Sequence, residues 1–528
     1  MMKKEKPGGV VASTGFTNNE INKSNIPKND IPVNGDENNI IPIPVLPKSN
    51  KTVLKALFQN QDGDSYLFIK CQKDKTLHDN TTREWYIYTG NFWELDYENS
   101  ILSRIKEVID LYGTEKLCQL ALANKAKEDG RTDAAENHQK KAEVLQKRIT
   151  QLQTLNWKKN IIILSCSGKN SLGYNGLGWD KHLMLLVCQN GVIDLQEGLF
   201  RPGKPEEYIK TVSPIFWDGI DSPCPSWKKF LSDIFGQDKD VIDYVQRLLG
   251  YGITGLTTEH IYPILWGAKG RNGKGTLLET LKYVLGPLAL KVSHNFFMQG
   301  NTKTSGAADA ELMSLRGARL AWGSETNEKD RLDVAKVKEL VGGDTISARP
   351  PYGKRQIEFK PSHLLLLITN KRPRVPANDQ ALWQRIHLIP FLYSFVDRPD
   401  PDDKYQLKVD KDLPEKLKKE APGILAWLVS GCLLWQRDGL NPPKSVNDAT
   451  SEYQQKEDLI GHFLKECCCI GELYRVRRAA IYKAYKTWCD DVGVRPLMKI
   501  NFLNDIDGRF TQIKSSGEIY YTKVGLLE

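Results

Sequence analysis

The stretch "ILWGAKGRNGKGTLLETL", Ile264 to Leu281, has the order of a phosphate-binding site: an apolar strand, a glycine-rich loop with a lysine, and a run that favours a helix. Glycines allow successive backbone N–H groups to turn toward one anion, and the N-terminus of the following helix adds the positive end of its dipole. Lys274 would reach the β- and γ-phosphates of a nucleotide. The stretch therefore predicts a nucleotide site.

The match to the pattern G-x-x-x-x-G-K-[ST] is incomplete. Ala268 stands where the first glycine belongs, and Gly275 occupies the Ser/Thr position, with Thr276 after it. The predicted nucleotide-binding residues are Gly267, Ala268, Lys269, Gly270, Arg271, Asn272, Gly273, Lys274, Gly275 and Thr276. Because a degenerate loop is only a moderate signal by itself, the rest of the chain has to decide what a bound nucleotide would drive.

Composition bounds the class of protein. Of the 528 residues, 40% are hydrophobic and 26% charged, which is typical of a globular chain with domains of about 150 residues each. The 74 Lys and Arg against 65 Asp and Glu give a net charge of +9, compatible with a polyanionic partner but not diagnostic of one. Ten cysteines without a C-x-x-C pair predict reduced thiols and a cytoplasmic protein. No apolar run approaches the roughly 18 residues of a membrane span, so no membrane partner is expected.

Changes in composition divide the chain into four predicted parts. Residues 1–51, rich in Asn, Pro, Lys and Ser, predict a disordered leader. Residues 52–215 predict an α+β region: a β-containing unit from about Val53 to Glu98, a helical hairpin over Leu117–Leu155, and a β-hairpin around Asn190-Gly191. Residues 216–450 would hold the nucleotide-binding core, and 451–528 a separate small domain.

Carboxylates follow the next apolar strand after the loop. The stretch "GARLAWGSETNE" ends in Glu325, with Glu328 close behind. Beside a phosphate-binding loop, such carboxylates hold Mg²⁺ and polarise the attacking water. The alternative interpretation is a strand followed by an acidic helix start, where carboxylates favour the helix dipole.

Three further segments carry polar residues in positions that suit a nucleic-acid motor. Lys354 and Arg355 lie at the tip of a predicted hairpin beside an aromatic residue, which suits single-stranded DNA; a plain polar turn is the alternative. Asn370 ends the buried strand "SHLLLLITN" and could orient water, or simply cap a turn. Arg385 in "NDQALWQRIHLIPF" could be an arginine finger or a partner in a surface ion pair.

These segments, in this order, resemble the superfamily 3 helicases, in particular the helicase part of phage and plasmid primase–helicase proteins and the related poxvirus NTPase. The matching residues are Asn272-Gly273-Lys274, Ser324-Glu325, Gly342-Gly343-Asp344 with Ala348-Arg349, Thr369-Asn370, and Asp379 through Arg385. The resemblance covers roughly residues 85 to 460. It departs at Ser324, where many related ATPases carry Asp, and at Gln384, which replaces the first of two arginines.

The resemblance implies an α/β fold with an AAA+-like P-loop ATPase core that unwinds single-stranded and forked DNA in the replication of a phage, prophage or plasmid. It implies ATP and Mg²⁺, with Thr276 and Glu325 as metal ligands. It implies Lys274, Glu325, Glu328, Asn370 and Arg385 as catalytic residues. The family forms hexameric rings, so a homohexamer in the cytoplasm of a bacterial host is expected, with Arg385 completing the site of the next subunit. The short polar leader predicts that any primase is a separate protein.

The C-terminal segment predicts a winged-helix domain. "YRVRRAAIYKAYKTWCDDVG" has helical spacing, a second helix would cover Pro496–Phe510, and a hairpin would close around Ser516-Gly517. The resemblance extends to the DNA-binding tails of these helicases, with Arg477 and Arg478 as DNA contacts and the second helix as the recognition helix. The modest charge of the segment leaves a packing or partner-binding module as the alternative.

Two other functions fit parts of the sequence. The ending G-K-G-T resembles adenylate kinases, but no lid for a nucleoside monophosphate is evident. Ala268 and Gly275 would suit an origin-binding or scaffold protein that has lost catalysis. Phosphoryl transfer to monophosphates would identify the first, and absence of ATP turnover with and without DNA the second.

Overall fold

The computed structural model describes residues 48–299, 305–324, 331–349 and 356–527, and it has a mixed α/β architecture with several sheets. Of the predicted leader, residues 1–47 lie outside this range, and helix α1 already begins at Lys51. In the described residues no helix is long and apolar enough to cross a membrane.

The N-terminal part combines five helices with a four-stranded sheet. The elements are α1 Lys51–Phe58, α2 Asn60–Gln72, β1 Thr76–Asp79, β2 Glu84–Tyr88, β3 Trp93–Leu95, α3 Lys106–Glu128, α4 Thr132–Leu152, α5 Leu155–Ser165 and β4 Gly173–Tyr174. The sheet order is β3-β2-β1-β4. The predicted helical hairpin is confirmed as α3 and α4, and the Glu136–Lys140 ion pair forms at 2.6 Å.

The strand character predicted for the first part of Val53–Glu98 is wrong, because residues 51–72 form α1 and α2 and the strands begin only at Thr76. Asn50 caps α1 by accepting hydrogen bonds from the N–H groups of Thr52 and Val53. The aromatic run "YLFIKC" lies in α2, where Leu67 and Phe68 are buried in a helical core. Aromatic residues favour strands by propensity, but tertiary burial on one face decided for a helix.

A three-stranded antiparallel sheet and two helices lead to the quoted loop. They are β5 Leu185–Cys188, β6 Gly191–Asp194, β7 Leu199–Arg201, α6 Pro225–Ile234 and α7 Lys239–Gly252. The hairpin predicted at Asn190-Gly191 is confirmed by the β5–β6 pairing. Leu186 and Ile193 of this sheet share one hydrophobic core with α6 and α7. The packing therefore joins the sheet to the central part of the chain, whereas composition suggested a boundary at residue 215.

The centre of the molecule is a five-stranded, all-parallel sheet. In chain order its region contains β8 Tyr262–Trp266, α8 Lys274–Leu285, β9 Ala289–Lys291, α9 Ser305–Ser314, β10 Leu320–Ser324, α10 Val334–Gly342, β11 Ile346–Ala348, β12 Ile357–Phe359, β13 Leu364–Thr369, α11 Gln380–Trp383 and β14 Ile386–Pro390. The strand order is β14-β8-β13-β10-β9, while β11 and β12 form a separate antiparallel pair. The loop of the quoted stretch thus follows the second strand from one edge.

Helices cover both faces of this sheet, which explains why its strands are nearly continuous in apolar residues. One face packs on α8 and on the helices α12 Leu413–Lys419 and α13 Ala421–Asp438; the other packs on α10, on Trp383 and on Tyr453 of α14, Lys444–Glu457. A short parallel pair, β15 Ser394–Val396 and β16 Gln406–Lys408, follows β14. All carboxyl ends of the five strands meet at one edge, where open α/β sheets bind ligands.

The C-terminal part is a small module with its own core. Its elements are α15 Leu459–Cys467, β17 Cys468–Arg477, α16 Arg478–Asp491, α17 Lys499–Arg509, β18 Gln512–Ser515 and β19 Glu518–Leu526, with the sheet order β17-β19-β18. The hairpin at Ser516-Gly517 is confirmed. The helix predicted from Tyr474 onward is wrong at its start, because Arg475 and Arg477 lie in β17, where they pair with β19.

Candidate nucleotide site

The loop between β8 and α8 is held by bonds to the neighbouring strands and within itself. The Gly267 N–H donates to the Thr369 carbonyl at 3.2 Å, and Asn272 Nδ2 donates to the Lys269 carbonyl at 2.7 Å. A Cβ at Gly267 would lie 1.9 Å from Asn272 Nδ2, so only glycine fits there. Gly273 has φ +80°, and a Cβ on it would meet Ile234 at 2.6 Å. The strand–loop–helix order predicted for this stretch is confirmed, with a loop closed around its own asparagine.

Lys274 begins α8 and is only 4% exposed. Its ammonium donates to Asn370 Oδ1 and Asn272 Oδ1, both at 2.9 Å, and to the Gly267 carbonyl at 3.4 Å. In the part of the chain that the structure describes, no carboxylate lies within ion-pair distance of it. Burial lowers the pKa of Lys274 to about 8. The side chain is thus a desolvated cation surrounded by neutral oxygens.

Asn370 reaches this lysine from the neighbouring strand. Residue 369 ends β13, and Thr369 pairs with Trp266 at the end of β8, so the two carboxyl ends are level. The register brings Asn370 against Lys274 although 96 residues separate them in sequence. The structure therefore unites two of the predicted catalytic residues.

The outer side of the loop is fastened to the segment around β15. The Phe395 N–H donates to the Arg271 carbonyl at 2.8 Å, and Lys269 forms an ion pair with Asp403 at 2.9 Å. Arg271 adopts φ +59°, which turns the loop at its tip. By contrast, a Cβ at Gly270 or Gly275 would meet open space. The loop is anchored on both sides while its glycines leave room above the backbone.

The predicted metal ligands are only partly within the described residues. Thr276 lies in the first turn of α8 and is half-buried. Ser324 ends β10 level with Ile368 of β13, which places this strand end at the same edge as the loop. Glu325 and Glu328 lie outside the described residues. Within the described ranges, no group of three or more His, Cys, Asp or Glu side chains could hold a metal ion.

Arg385 lies at the opposite end of the sheet from Lys274. It directly precedes β14, whose first residue Ile386 pairs with Tyr262 at the start of β8. Its Nη1 donates to the Ala381 carbonyl at 2.5 Å, while its buried Nε has no hydrogen-bond partner. Since β8 spans five residues at roughly 3.3 Å each, about 15 Å of strand separates Arg385 from the loop of its own chain.

Asp379 has a positioning role that the sequence alone did not reveal. Asp379 caps α11 by accepting the Leu382 N–H at 3.0 Å, and it also binds the Lys338 ammonium at 2.6 Å. It therefore orients the turn that carries Arg385. The sequence does indicate that Asp379 caps a helix, because an aspartate precedes a short helical run. It does not indicate the bond between Asp379 and Lys338, which lies 41 residues away.

The predicted DNA contacts have different surroundings. Lys354 and Arg355 lie outside the described residues, between the paired strands β11 and β12. Arg477 forms an ion pair with Glu518 at 2.8 Å, and Arg478 binds Asp507 of α17 at 3.1 Å. Both C-terminal arginines thus already have carboxylate partners inside the module, which reduces the charge they offer to a phosphate.

Comparisons with known proteins agree with the motif order. Residues 65–236 match the family "D5 N terminal like", and residues 265–385, from β8 to Arg385, match a family of unknown function, DUF5906. The second match begins and ends on the segments that carry the candidate site.

Among curated proteins, the chain is 29% identical over 471 residues to "Putative helicase L207/L206" of Acanthamoeba polyphaga mimivirus, covering 84% of this chain and 46% of that protein. It is 32% identical over 233 residues to "Putative helicase 022R" of Frog virus 3, covering 43% of this chain and 24% of that protein. "Putative primase C962R" of African swine fever virus matches at 24% identity over 28% of this chain and 15% of that protein. The chain spans less than half the length of each of these relatives.

Among solved structures, the apo structure of the NrS-1 C terminal region (305-718) aligns with a TM-score of 0.42 and 13% identity, covering 88% of this chain and 99% of that chain. Together with the D5 N terminal like region, the viral helicase and primase relatives confirm the resemblance to primase–helicase proteins that the motifs indicated.

Proposed function

We propose that this protein is an ATP-dependent DNA helicase of the superfamily 3 type, with an AAA+-like P-loop ATPase core. One observation carries the proposal: Lys274 is a buried cation at the ligand-binding edge of a parallel sheet, held by neutral oxygens and beside Asn370. A desolvated ammonium without a carboxylate partner attracts a phosphate strongly. The names of the viral relatives favour a role in replication.

The described residues fit a bound nucleotide. The closed loop, the left-handed Gly273 and the dipole of α8 would direct backbone N–H groups at the phosphates, with Lys274 on the β- and γ-phosphates. Thr276 and Glu325 would hold Mg²⁺, which usually keeps several waters and needs few protein ligands. When bound, the metal neutralises charge that develops on the phosphates.

Hydrolysis would depend on the carboxylate of Glu325 and the side-chain amide of Asn370 from the chain that holds the nucleotide. Glu325 would accept a proton from the attacking water, with Glu328 as the alternative base, and Asn370 would orient that water once its bond to Lys274 is exchanged. Replacing each glutamate by Gln separates the two: the change that abolishes hydrolysis while retaining ATP binding identifies the base. Arg385, at the far end of the sheet, would serve the site of the next subunit in a homohexameric ring.

Unwinding would place a DNA strand against Lys354 and Arg355 inside the ring. The C-terminal module has the element order of a winged helix, which supports α17 as a recognition helix and Arg477 and Arg478 as backbone contacts. Forked DNA is the proposed substrate, and a primase is a proposed partner in replication. These relatives are viral proteins, so the bacterial host and the cytoplasmic location remain predictions from the sequence.

The decisive experiment measures ATP hydrolysis by the purified protein with and without single-stranded DNA, together with its mass in solution. We expect turnover stimulated by DNA and a mass near six chains. Binding of DNA without ATP turnover would favour a scaffold protein, and transfer of phosphate to nucleoside monophosphates would favour a kinase; either result contradicts the proposal.

A further inference from the structure

Arg372 lies at the same end of the sheet as Lys274, on the opposite side of the strand that leads into the loop. It follows Asn370 by two residues, and its guanidinium stacks on the ring of Trp266, 4.0 Å from the ring centroid. Trp266 is the last residue of β8, and the carbonyl of the next residue, Gly267, accepts a hydrogen bond from Lys274. Two cations therefore flank the start of the loop.

The guanidinium of Arg372 lacks the partners that a buried cation usually has. Its Nε and Nη1 are buried and have no hydrogen-bond partner; no other arginine in the described parts of the chain leaves two such groups. Among the described residues, the carboxylates that face it belong to α14: Glu452 binds Lys456 at 2.6 Å, and Glu457 accepts the Val375 N–H at 3.2 Å.

The ring faces of Trp266 and Tyr453 orient the guanidinium but cannot accept its in-plane N–H groups. Buried donors of a charged group are costly to leave unbonded. Neither of these two carboxylates bonds the unpaired donors, so an external anion is a candidate partner for them. At this edge of the sheet the anion that the loop is built to hold is a phosphate.

We propose that Arg372 is a second cation of the nucleotide site and acts in cis, by donating to the terminal phosphate of the nucleotide held by the loop of its own chain. A planar guanidinium matches the oxygens of a phosphate in a way that an ammonium does not. The inference rests on the nucleotide site proposed above and assigns it a residue that the motifs do not contain.

The positions of Arg372 and Arg385 in the sheet explain why we assign them to different subunits. Arg372 follows the carboxyl end of β13, next to the end of β8, whereas Arg385 precedes the amino end of β14. One end of the sheet carries the loop and the other does not. Arg372 therefore serves its own loop, while Arg385 can meet a phosphate only across a subunit interface.

The first test compares binding of a non-hydrolysable ATP analogue with binding of ADP. Arg372→Ala should weaken binding of the analogue on the order of ten- to a hundredfold, the loss expected for one charge-assisted hydrogen bond, and leave ADP affinity unchanged. Arg372→Lys should recover only part of it. Arg374→Ala, two residues away and exposed, is the matched control with wild-type affinity.

Equal losses for both nucleotides would show that Arg372 only supports the fold of the loop, and a loss confined to DNA binding would assign it to a DNA phosphate; both results overturn the inference. Thermal unfolding of each variant verifies its folding. Should the alanine variant fail to fold, Arg372→Gln, which keeps much of the stacked length without the charge, takes its place.

The second test uses mixed rings to distinguish cis from trans action. At ATP concentrations too low to occupy Arg372→Ala sites, Arg372→Ala subunits mixed with Arg385→Ala subunits should regain ATP hydrolysis, because some sites then have an intact loop chain and an intact neighbour. Subunits carrying Arg372→Ala mixed with Lys274→Ala subunits should stay inactive, since both defects fall in the chain that holds the nucleotide. The reverse pattern would place Arg372 in the neighbour's site and overturn the cis assignment.

Different results contradict the proposed function and the role of Arg372. A wild-type protein that neither binds nor hydrolyses ATP contradicts the proposed function itself. A wild-type protein that hydrolyses ATP, with an Arg372→Ala variant indistinguishable from it, contradicts only the role of Arg372.

Discussion

Two buried cations in different parts of the molecule have opposite surroundings. Arg148, in the helical N-terminal part, donates to Asp64 at 2.8 Å and to Asn60 at 2.9 Å, and the side chains of both members of the ion pair are almost fully buried. Asp64 also accepts hydrogen bonds from Tyr112 and Trp157. Among the described residues, the oxygens that bond Lys274 are amide and carbonyl oxygens.

The difference separates a structural cation from a functional one. Arg148 joins four helices through a network in which Asp64 balances its charge. Removing Arg148 would leave the buried carboxylate of Asp64 without an opposite charge. Lys274 has hydrogen bonds but no opposite charge among the described residues, and burial depresses its pKa to about 8. A cation in this condition stabilises a bound anion more than it stabilises the fold.

The largest expected effect is on catalysis. Lys274→Ala should lower ATP hydrolysis by about a thousandfold or more, because the charge on the terminal phosphates is lost, while the melting temperature is kept or raised. Steady-state hydrolysis and thermal unfolding measure the two quantities. Near-normal turnover in the folded variant would remove the distinction between Lys274 and Arg148.

Arg385 extends the comparison to a cation with one unbonded buried donor. Arg385→Ala should also cost on the order of a thousandfold in rate, as expected for an arginine that meets transition-state charge. Mixing these subunits with Lys274→Ala subunits should restore part of the hydrolysis, because some interfaces then carry neither defect. Mixed rings that stay inactive, with mixing verified by mass, would make Arg385 a structural residue.

Asp64→Ala tests the structural half of the comparison. It leaves Arg148 buried without its carboxylate and two donors unbonded, so we expect a loss of about 3–5 kcal/mol in the free energy of unfolding. Chemical denaturation measures it. The double replacement Asp64→Leu with Arg148→Met is the control and should lose less than Asp64→Ala alone. A smaller loss for Asp64→Ala than for Lys274→Met would reverse the assignment of the two cations.

The lowered pKa of Lys274 predicts two opposite dependences on pH. Because nucleotide phosphates favour the charged ammonium, affinity for a non-hydrolysable ATP analogue should be greatest below pH 8 and fall by up to tenfold per pH unit above it. Lys274→Arg, which stays charged, should flatten this decline. Titration calorimetry across pH 7 to about 9.5 tests the sign, and affinity that rises with pH would contradict it.

The contribution of Lys274 to the free energy of unfolding changes with pH in the opposite direction from nucleotide affinity. Between about pH 8 and the ordinary lysine pKa the unfolded chain binds more protons than the folded one, so this residue's contribution improves as pH rises. The cost that Lys274 imposes below pH 8 is about 3 kcal/mol at most. The stability advantage of Lys274→Met over the wild type should therefore shrink as pH rises through this window.

The smallest effect concerns Lys354 and Arg355, cations that we assign to DNA and not to the nucleotide. Replacing both with Ala should make the dependence of single-stranded DNA binding on salt less steep by about 1.4 in log–log slope, at roughly 0.7 per phosphate contact. Hydrolysis without DNA should persist. Fluorescence titrations at several salt concentrations measure the slope, and an unchanged slope would indicate a solvated turn.

Local sequence was sufficient wherever a short segment carries its own signal. The strand, loop and helix from Ile264 to Leu281, the helical hairpin and the turns at Asn190-Gly191 and Ser516-Gly517 follow from periodicity and from glycine. The order of motifs along the chain also indicated the class of relatives, because each motif is contiguous. The helices α1 and α2 and the strand that carries Arg477 were not predictable in this way. Burial in a helical core overrode the local preference of α2, and pairing with β19 decided the conformation around Arg477.

What tertiary structure alone decided is which charges meet. The sequence motifs indicated Lys274, Asn370 and Arg385 without their relative positions; the parallel register puts the first two, together with Arg372, at one edge of the sheet and Arg385 at the other. The same holds for Arg148 and Asp64, which are 84 residues apart. The physical reason is that the environment of a charge depends on which atoms exclude water from it, and those atoms come from strands and helices remote in sequence.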